Sequence, residues 1–100
     1  GGLKRASALA DIPTIHESGV PGYEANNWWG VLAPGGVPDA IVRKLNSESN
    51  AVMGMPDTKK RLASEGAESF NISPEAFSKH IAAEIAKWGK VTREAGIKAE

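Results

Sequence analysis

The chain contains no cysteine, has no net charge and has no long apolar run. The lack of cysteine excludes a disulfide framework and thiolate zinc sites, and it leaves the cytoplasm and the periplasm equally open. Twelve basic residues balance twelve acidic ones. Proteins that bind nucleic acid or anionic membranes normally carry a basic excess, so the sequence predicts neither kind of partner. No stretch reaches the ~18–20 apolar residues of a membrane span, and the first residues do not resemble a signal peptide.

Patterns of catalytic and metal sites are also missing. The sequence has no nucleophile elbow and no glycine-rich phosphate loop. The adjacent His16 and Glu17 point about 100° apart on a helix and form no dyad. His80 and Glu84 share a helix face, but no third metal ligand accompanies them, so a structural or surface role is favoured. We therefore predict no enzyme, no metal site and no cofactor.

The most specific part of the chain is residues 11–38, a segment rich in turn-forming residues. It holds four of the six prolines, five of the eleven glycines and two of the three tryptophans. Thr14 and Glu17 have the spacing of a capping box, so they predict a single helical turn that ends at Gly19. Residues 28–33 favour a strand, and Gly30 within it indicates a bulge or a close approach of the backbone.

Amphipathic helices dominate the rest of the chain. They are predicted over residues 38–53, 56–65 and 74–95. Ser73 is the predicted N-cap of the last helix, whose first turn offers a Glu75–Lys79 ion pair. A second short strand is predicted over residues 67–72. Two strands make a poor sheet by themselves, so the sequence indicates that they belong to a larger sheet.

Trp28 and Trp29 leave two interpretations open. Neighbouring residues of a strand face opposite sides, so one indole is expected to pack in the core. The other either makes a second core contact or lines a cleft or an interface.

An ordered series of short motifs resembles the Bug-type substrate-binding receptors of tripartite tricarboxylate transporters. Its first part is DIPT at 11–14, Glu17, SGVPGYE at 18–24, WWGVLAP at 28–34, VP at 37–38, IV at 41–42 and KLN at 44–46. Its second part is PD at 56–57, RL at 61–62, EGAE at 65–68, SPEAF at 73–77, EIAKW at 84–88, Val91 and AGIK at 95–98. No single motif is specific, but the order of the whole series is.

The resemblance implies an α/β fold, in which this chain is the C-terminal segment of a two-lobed, type II-like periplasmic binding protein. This segment is expected to contain mainly three helices and two short strands. Residues 1–33 would form the crossing segment and the aromatic strand, and residues 34–100 a helical part that packs on the first lobe. The partner strands of the aromatic strand would then come from sequence outside this chain.

The resemblance also implies a function. The chain is expected to be part of an exported, periplasmic receptor that binds a small carboxylated solute and delivers it to the membrane subunits of the transporter. Its signal peptide would lie outside this chain. Backbone amides can hold such an anion without an excess of basic residues. Thr14 and Trp28 are the residues that the resemblance suggests as ligand contacts.

The alternative is a stand-alone helical module for protein interaction or self-association. In either case the isolated chain is expected to expose apolar surface, and we predict that it associates as a homodimer. A small enzyme, the third alternative, has no residue pattern to support it.

Overall fold

The computed structural model describes residues 1–98 and contains three α-helices in that range. They are α1 (Asp39–Met53), α2 (Pro56–Ser64) and α3 (Pro74–Glu94), preceded by a short 3₁₀ turn at Ser7–Leu9. Helix α1 contacts both α2 and α3, and the 3₁₀ turn contacts α2. Within the described range no helix is long and apolar enough to cross a membrane. The three predicted helices are thus confirmed, each with ends that differ by one residue or less.

The helix ends follow local signals in the sequence. Ser73 caps α3, because its Oγ accepts a hydrogen bond from the Ala76 amide at 3.1 Å. Gly66 and Gly96 follow α2 and α3 with φ angles of 74° and 68°, which glycine adopts at little cost. Pro38 is the N-cap of α1, so it lies just before the helix and not at its first position.

The two predicted strands are wrong, because residues 1–98 contain no β-strand. Residues 28–33 and 67–72 are irregular coil. Within the described range, residues 26–37 make no hydrogen bond with another backbone group. A strand exists only when a neighbouring strand pairs with its N–H and C=O groups. The β-branched and aromatic side chains of this segment meet the local preference for a strand, but no pairing partner lies beside them.

The described chain is open, and none of its side chains is buried. It exposes 8325 Å² at a mass of 10.5 kDa, whereas a compact monomer of this mass exposes roughly 5,400 Å². Its radius of gyration is 16.6 Å, against about 13 Å for a compact domain of 100 residues. The apolar stripe of α3 is only partly covered, with Ile85 70% exposed and Val91 40% exposed. The helices therefore pack against one another only at their margins.

Polar contacts join α1 to the start of α3. Arg43 forms an ion pair with Asp39 one turn earlier, at 2.8 Å, and a second one with Glu75 of α3. These bonds raise the pKa of Arg43, mainly through Glu75, and Arg43 in turn lowers the pKa of Glu75. Among the described residues Glu75 does not pair with Lys79, so that prediction is wrong. The Glu75 carboxylate pairs instead with Arg43 on α1.

Candidate functional site

Thr14 lies in a hydrogen-bonded turn that has the predicted capping box. Its Oγ1 accepts from the Glu17 amide at 3.0 Å, and Glu17 Oε2 accepts from the Thr14 amide at 2.9 Å. The Ser18 amide closes the turn by donating to the Thr14 carbonyl at 3.1 Å. Gly19 then turns the chain away with a φ of 118°. The capping box is confirmed, but the turn does not continue into a helix.

Arg5, which precedes this turn in the chain, is hydrogen-bonded to it. Its Nε donates to both Glu17 carboxylate oxygens, at 3.1 and 3.0 Å, and its Nη1 donates to the Ala10 carbonyl at 3.2 Å. The Arg5 bond and, after it, the Thr14 amide lower the pKa of Glu17 from 4.5 to about 2. Glu17 raises the pKa of Arg5. Sequence analysis missed Arg5, because no local rule links residues twelve positions apart in a segment without periodicity.

The Thr14 hydroxyl retains a free donor. A hydroxyl has one proton to donate and two lone pairs to accept with. Thr14 Oγ1 uses one lone pair on the Glu17 amide, and within residues 1–98 its proton has no acceptor. The side chain is half-buried. The turn therefore fixes the position of a hydroxyl that is able to donate to an anion.

Trp28 packs against α3 in an aromatic cluster, which we define as Trp28, Phe70, Phe77 and His80. Its ring meets Phe77 edge to face at 5.6 Å between centroids and His80 at 4.9 Å. Phe70 meets His80 at 5.8 Å. Trp28 remains 40% exposed, while Trp29 is 97% exposed. The Trp28 indole thus packs on α3, whereas the Trp29 indole is almost fully exposed to solvent.

Gly30 is required for this packing. A Cβ atom built at Gly30 would overlap Phe77 Cζ, at a separation that real side chains do not adopt. The close approach predicted from a glycine in this segment is therefore confirmed. Because Phe77 also contacts Trp28, the glycine fixes how the whole segment lies on α3.

His80 and Glu84 serve different partners and form no metal pair. His80 lies within the aromatic cluster, where its Nε2 is buried and has no hydrogen-bond partner among the described residues. Glu84 Oε2 accepts from Trp88 Nε1 at 2.6 Å. Within residues 1–98 no three side chains of metal-binding type come together. The aromatic role of His80 was not visible in the sequence, because Phe70 and Trp28 reach it from distant segments.

Thr14 and Trp28 belong to separate clusters in the described part of the chain. Thr14 bonds with Glu17 and Ser18, whereas the two rings that Trp28 meets, Phe77 and His80, lie on α3. Two shallow depressions lie along α2, and neither is lined by Thr14 or Trp28. One of them borders a contact that anchors the N-terminal segment, in which Ser7 Oγ donates to Glu68 at 2.8 Å. That bond lowers the pKa of Glu68.

Comparisons with known proteins agree on one family. The family model described as "Tripartite tricarboxylate transporter family receptor" matches residues 2–97. The UPF0065 protein in the tcbD-tcbE intergenic region of Pseudomonas sp. strain P51 is 36% identical over 92% of this chain and 28% of its own length. Protein BugT of Bordetella pertussis is 32% identical over 94% of this chain and 29% of its own length.

A solved structure has the same fold over this region. It is R. palustris Rpa4515 with adipate, which is 43% identical and superposes with a TM-score of 0.80. The match covers 95% of this chain and 32% of that structure. The chain thus spans less than a third of the relatives named here. The matching family is one of receptors, which confirms the prediction that the chain is not an enzyme. The chain therefore belongs to the receptor family of tripartite tricarboxylate transporters.

Proposed function

We propose that this chain is a segment of a periplasmic receptor that binds a small carboxylated solute and delivers it to the membrane subunits of a tripartite transporter. The observation that carries the proposal is the match to the adipate-bound structure, at 43% identity over 95% of the chain. Adipate carries two carboxylates. The zero net charge of this chain is compatible with an anion held by neutral hydrogen-bond donors.

Thr14 and Trp28 are the proposed solute contacts. The capping box leaves the Thr14 hydroxyl proton free among residues 1–98, so it can donate to a carboxylate. Trp28 presents a partly exposed indole whose N–H has no acceptor in the same range. Because the two residues share no contact here, both would reach one solute only if other parts of the receptor completed the site between them.

We further propose that residues 1–33 cross between two lobes and that residues 34–100 pack on the first lobe. The unpaired backbone of residues 26–37 supports this division, since such a segment needs strands from elsewhere to pair with. The incomplete cover of α3 supports it as well, because 70% of the Ile85 side chain is exposed.

Calorimetry tests the receptor proposal. The full-length gene product and the 100-residue chain are each titrated with a panel of small carboxylates and with uncharged analogues of the same length. We expect the full-length protein to bind at least one carboxylate, and not its uncharged analogue, while the short chain binds none. Carboxylate binding should weaken at least tenfold in Thr14→Val, since a hydrogen bond to a charged group contributes about 1.5–3 kcal/mol. Failure of every carboxylate to bind the full-length protein would refute the proposal.

The second candidate function is a stand-alone module for self-association. The observation in its favour is the number of exposed large apolar side chains together with the absence of a buried one in the described range. We propose that the chain by itself forms a homodimer. If the gene encodes only these 100 residues and no carboxylate binds, this function replaces the receptor proposal.

A further inference from the structure

His16 accepts a hydrogen bond that depends on its protonation state. The Gly22 amide donates to His16 Nδ1 at 2.7 Å, across a separation of six residues. A ring nitrogen accepts a hydrogen bond only while it carries no proton. The bond from the Gly22 amide therefore requires the tautomer that carries its ring proton on Nε2.

The bond closes a turn of unusual backbone geometry. Gly19 and Gly22 have φ angles of 118° and 81°, and the Tyr23 amide donates to the Val20 carbonyl at 3.2 Å. The Gly22 amide has no backbone acceptor among residues 1–98, so His16 satisfies it. Since glycines are free to adopt many other conformations, the side-chain bond helps the backbone bonds from Val20 to Ile15 and from Tyr23 to Val20 to hold residues 19–22 in this path.

We propose that His16 and Gly22 form an acid-labile latch. When a proton binds Nδ1, the ring nitrogen becomes a donor and faces a second donor, the Gly22 N–H. The two groups then separate, the imidazolium turns to solvent, and residues 19–22 leave their present conformation. Acidification through the range in which histidine titrates thus opens the turn, and a return to neutral pH closes it.

The charged groups around the turn do not replace the lost bond. Glu17, beside His16 in the chain, is engaged by Arg5 and by the Thr14 amide. On the other side of the turn, Lys87 of α3 donates to the backbone carbonyl of Glu24. Both Glu17 carboxylate oxygens already accept hydrogen bonds from Arg5, and Lys87 is itself a donor. Tyr23 and the Glu24 carboxylate are the other titratable groups that follow the turn.

Nuclear magnetic resonance of the 100-residue chain tests the latch between about pH 8 and about pH 5, the range in which histidine changes charge. At the upper pH the ring nitrogens of His16 should show a bare Nδ1 and a protonated Nε2. On acidification the Gly22 amide proton should shift upfield with the midpoint of the His16 ring. Its exchange protection, corrected for the intrinsic pH dependence, should fall roughly fivefold, as expected for the loss of one hydrogen bond.

Two variants serve as controls. His16→Gln keeps an acceptor that does not titrate in this range, so the Gly22 signal should no longer depend on pH. His80→Gln removes the other histidine and should leave the Gly22 titration unchanged. If His16→Gln disturbs the turn at both pH values, the shorter acceptor in His16→Asn replaces it.

The latch is overturned if Nδ1 carries the proton at the upper pH, or if Gly22 ignores the titration of His16. It is equally overturned if Gly22 titrates as before in His16→Gln. The proposal does not rest on the receptor function, because each readout reports the turn and none reports solute binding. Failure of either proposal is thus distinguishable from failure of the other.

Discussion

The Glu17 carboxylate joins two separate parts of the chain by hydrogen bonds. Its carboxylate accepts from the Thr14 amide and from Arg5, so it caps a turn and ties the N-terminal segment to it. Both bonds favour the ionised form, which is why its pKa falls to about 2. Exposed ion pairs usually contribute little to stability. The role of this pair is accordingly to fix the path of residues 5–18.

The titration of Glu17 gives the first prediction. Because the pKa of Glu17 is lowered in the folded chain, the capping turn is favoured above the ordinary value of 4.5 and is lost as the pH falls from there toward about 2. The carboxyl carbon signal of Glu17, followed by nuclear magnetic resonance, should have its midpoint near the lower value. In Arg5→Gln the midpoint should move toward 4.5, and in the control Arg43→Gln it should not move. An ordinary midpoint in the unaltered chain would contradict the ion pair.

Gly30 gives the second prediction. In Gly30→Ala the added Cβ clashes with Phe77, so the aromatic cluster must shift. We expect a loss of about 1–3 kcal/mol in the free energy of unfolding, the usual cost of overpacking, and a weaker near-ultraviolet circular dichroism signal. Gly35→Ala is the matched control, since nothing lies within 4 Å of a Cβ there. It should be neutral or slightly stabilising. Equal effects of the two substitutions would show that Phe77 does not pack on Gly30.

Single residues were predictable where the rule is local. The Thr14–Glu17 capping box depends on a spacing of three, and Gly30 stands out among bulky neighbours, so both were identified correctly. Arg5 and His80 were not, because their partners are brought to them only by the folded chain. Local chemistry specifies a turn or a tight contact, whereas a contact between distant segments depends on how the elements are arranged.

At the scale of elements, α3 begins with the clearest signal in the chain. Ser73 accepts from the Ala76 amide, and Pro74 occupies the first helical position, where its missing N–H costs nothing. The first turn also contains Glu75, which binds Arg43 of α1. The start of α3 is therefore the point at which helix capping and helix–helix contact coincide.

The third prediction concerns this cap. Ser73→Ala removes the side-chain acceptor and should destabilise the chain by about 1 kcal/mol, measured as a lower midpoint of urea unfolding. Ser78→Ala is the matched control, because Ser78 lies inside the same helix and alanine has the higher helix propensity. It should leave the midpoint unchanged or raise it slightly. The cap would be unimportant if both substitutions had the same effect.

Helices and strands differed in how well the sequence predicted them. The three helices form their hydrogen bonds internally, so propensity, caps and glycine stops were enough to locate them to within a residue. A strand depends on a neighbour for its bonds, and residues 26–37 have none among the described residues. The predicted strands failed for that reason, although their side chains have the composition of strands.

At the scale of the whole molecule, the chain has more apolar surface than it can cover. The family resemblance was read correctly from the order of its motifs, and the open structure agrees with a match to less than a third of its relatives. The solute site could not be located in the same way. Thr14 and Trp28 lie in separate clusters, so the sequence names candidates without showing what would bring them to one ligand.

The exposed surface gives the last prediction. Trp29 and Val31 are 97% and 91% exposed, in the segment whose backbone is also unpaired, so a second copy can bury both side chains and pair with the segment. Sedimentation of the isolated chain from low to high micromolar concentration should show a monomer–dimer equilibrium. Trp29→Gln should weaken it at least tenfold, since burying a large apolar side chain contributes roughly 1.5–3 kcal/mol. The control Leu9→Gln changes an exposed apolar residue outside this segment and should have little effect. A strictly monomeric chain, or equal weakening by both substitutions, would mean that residues 26–37 do not form the interface.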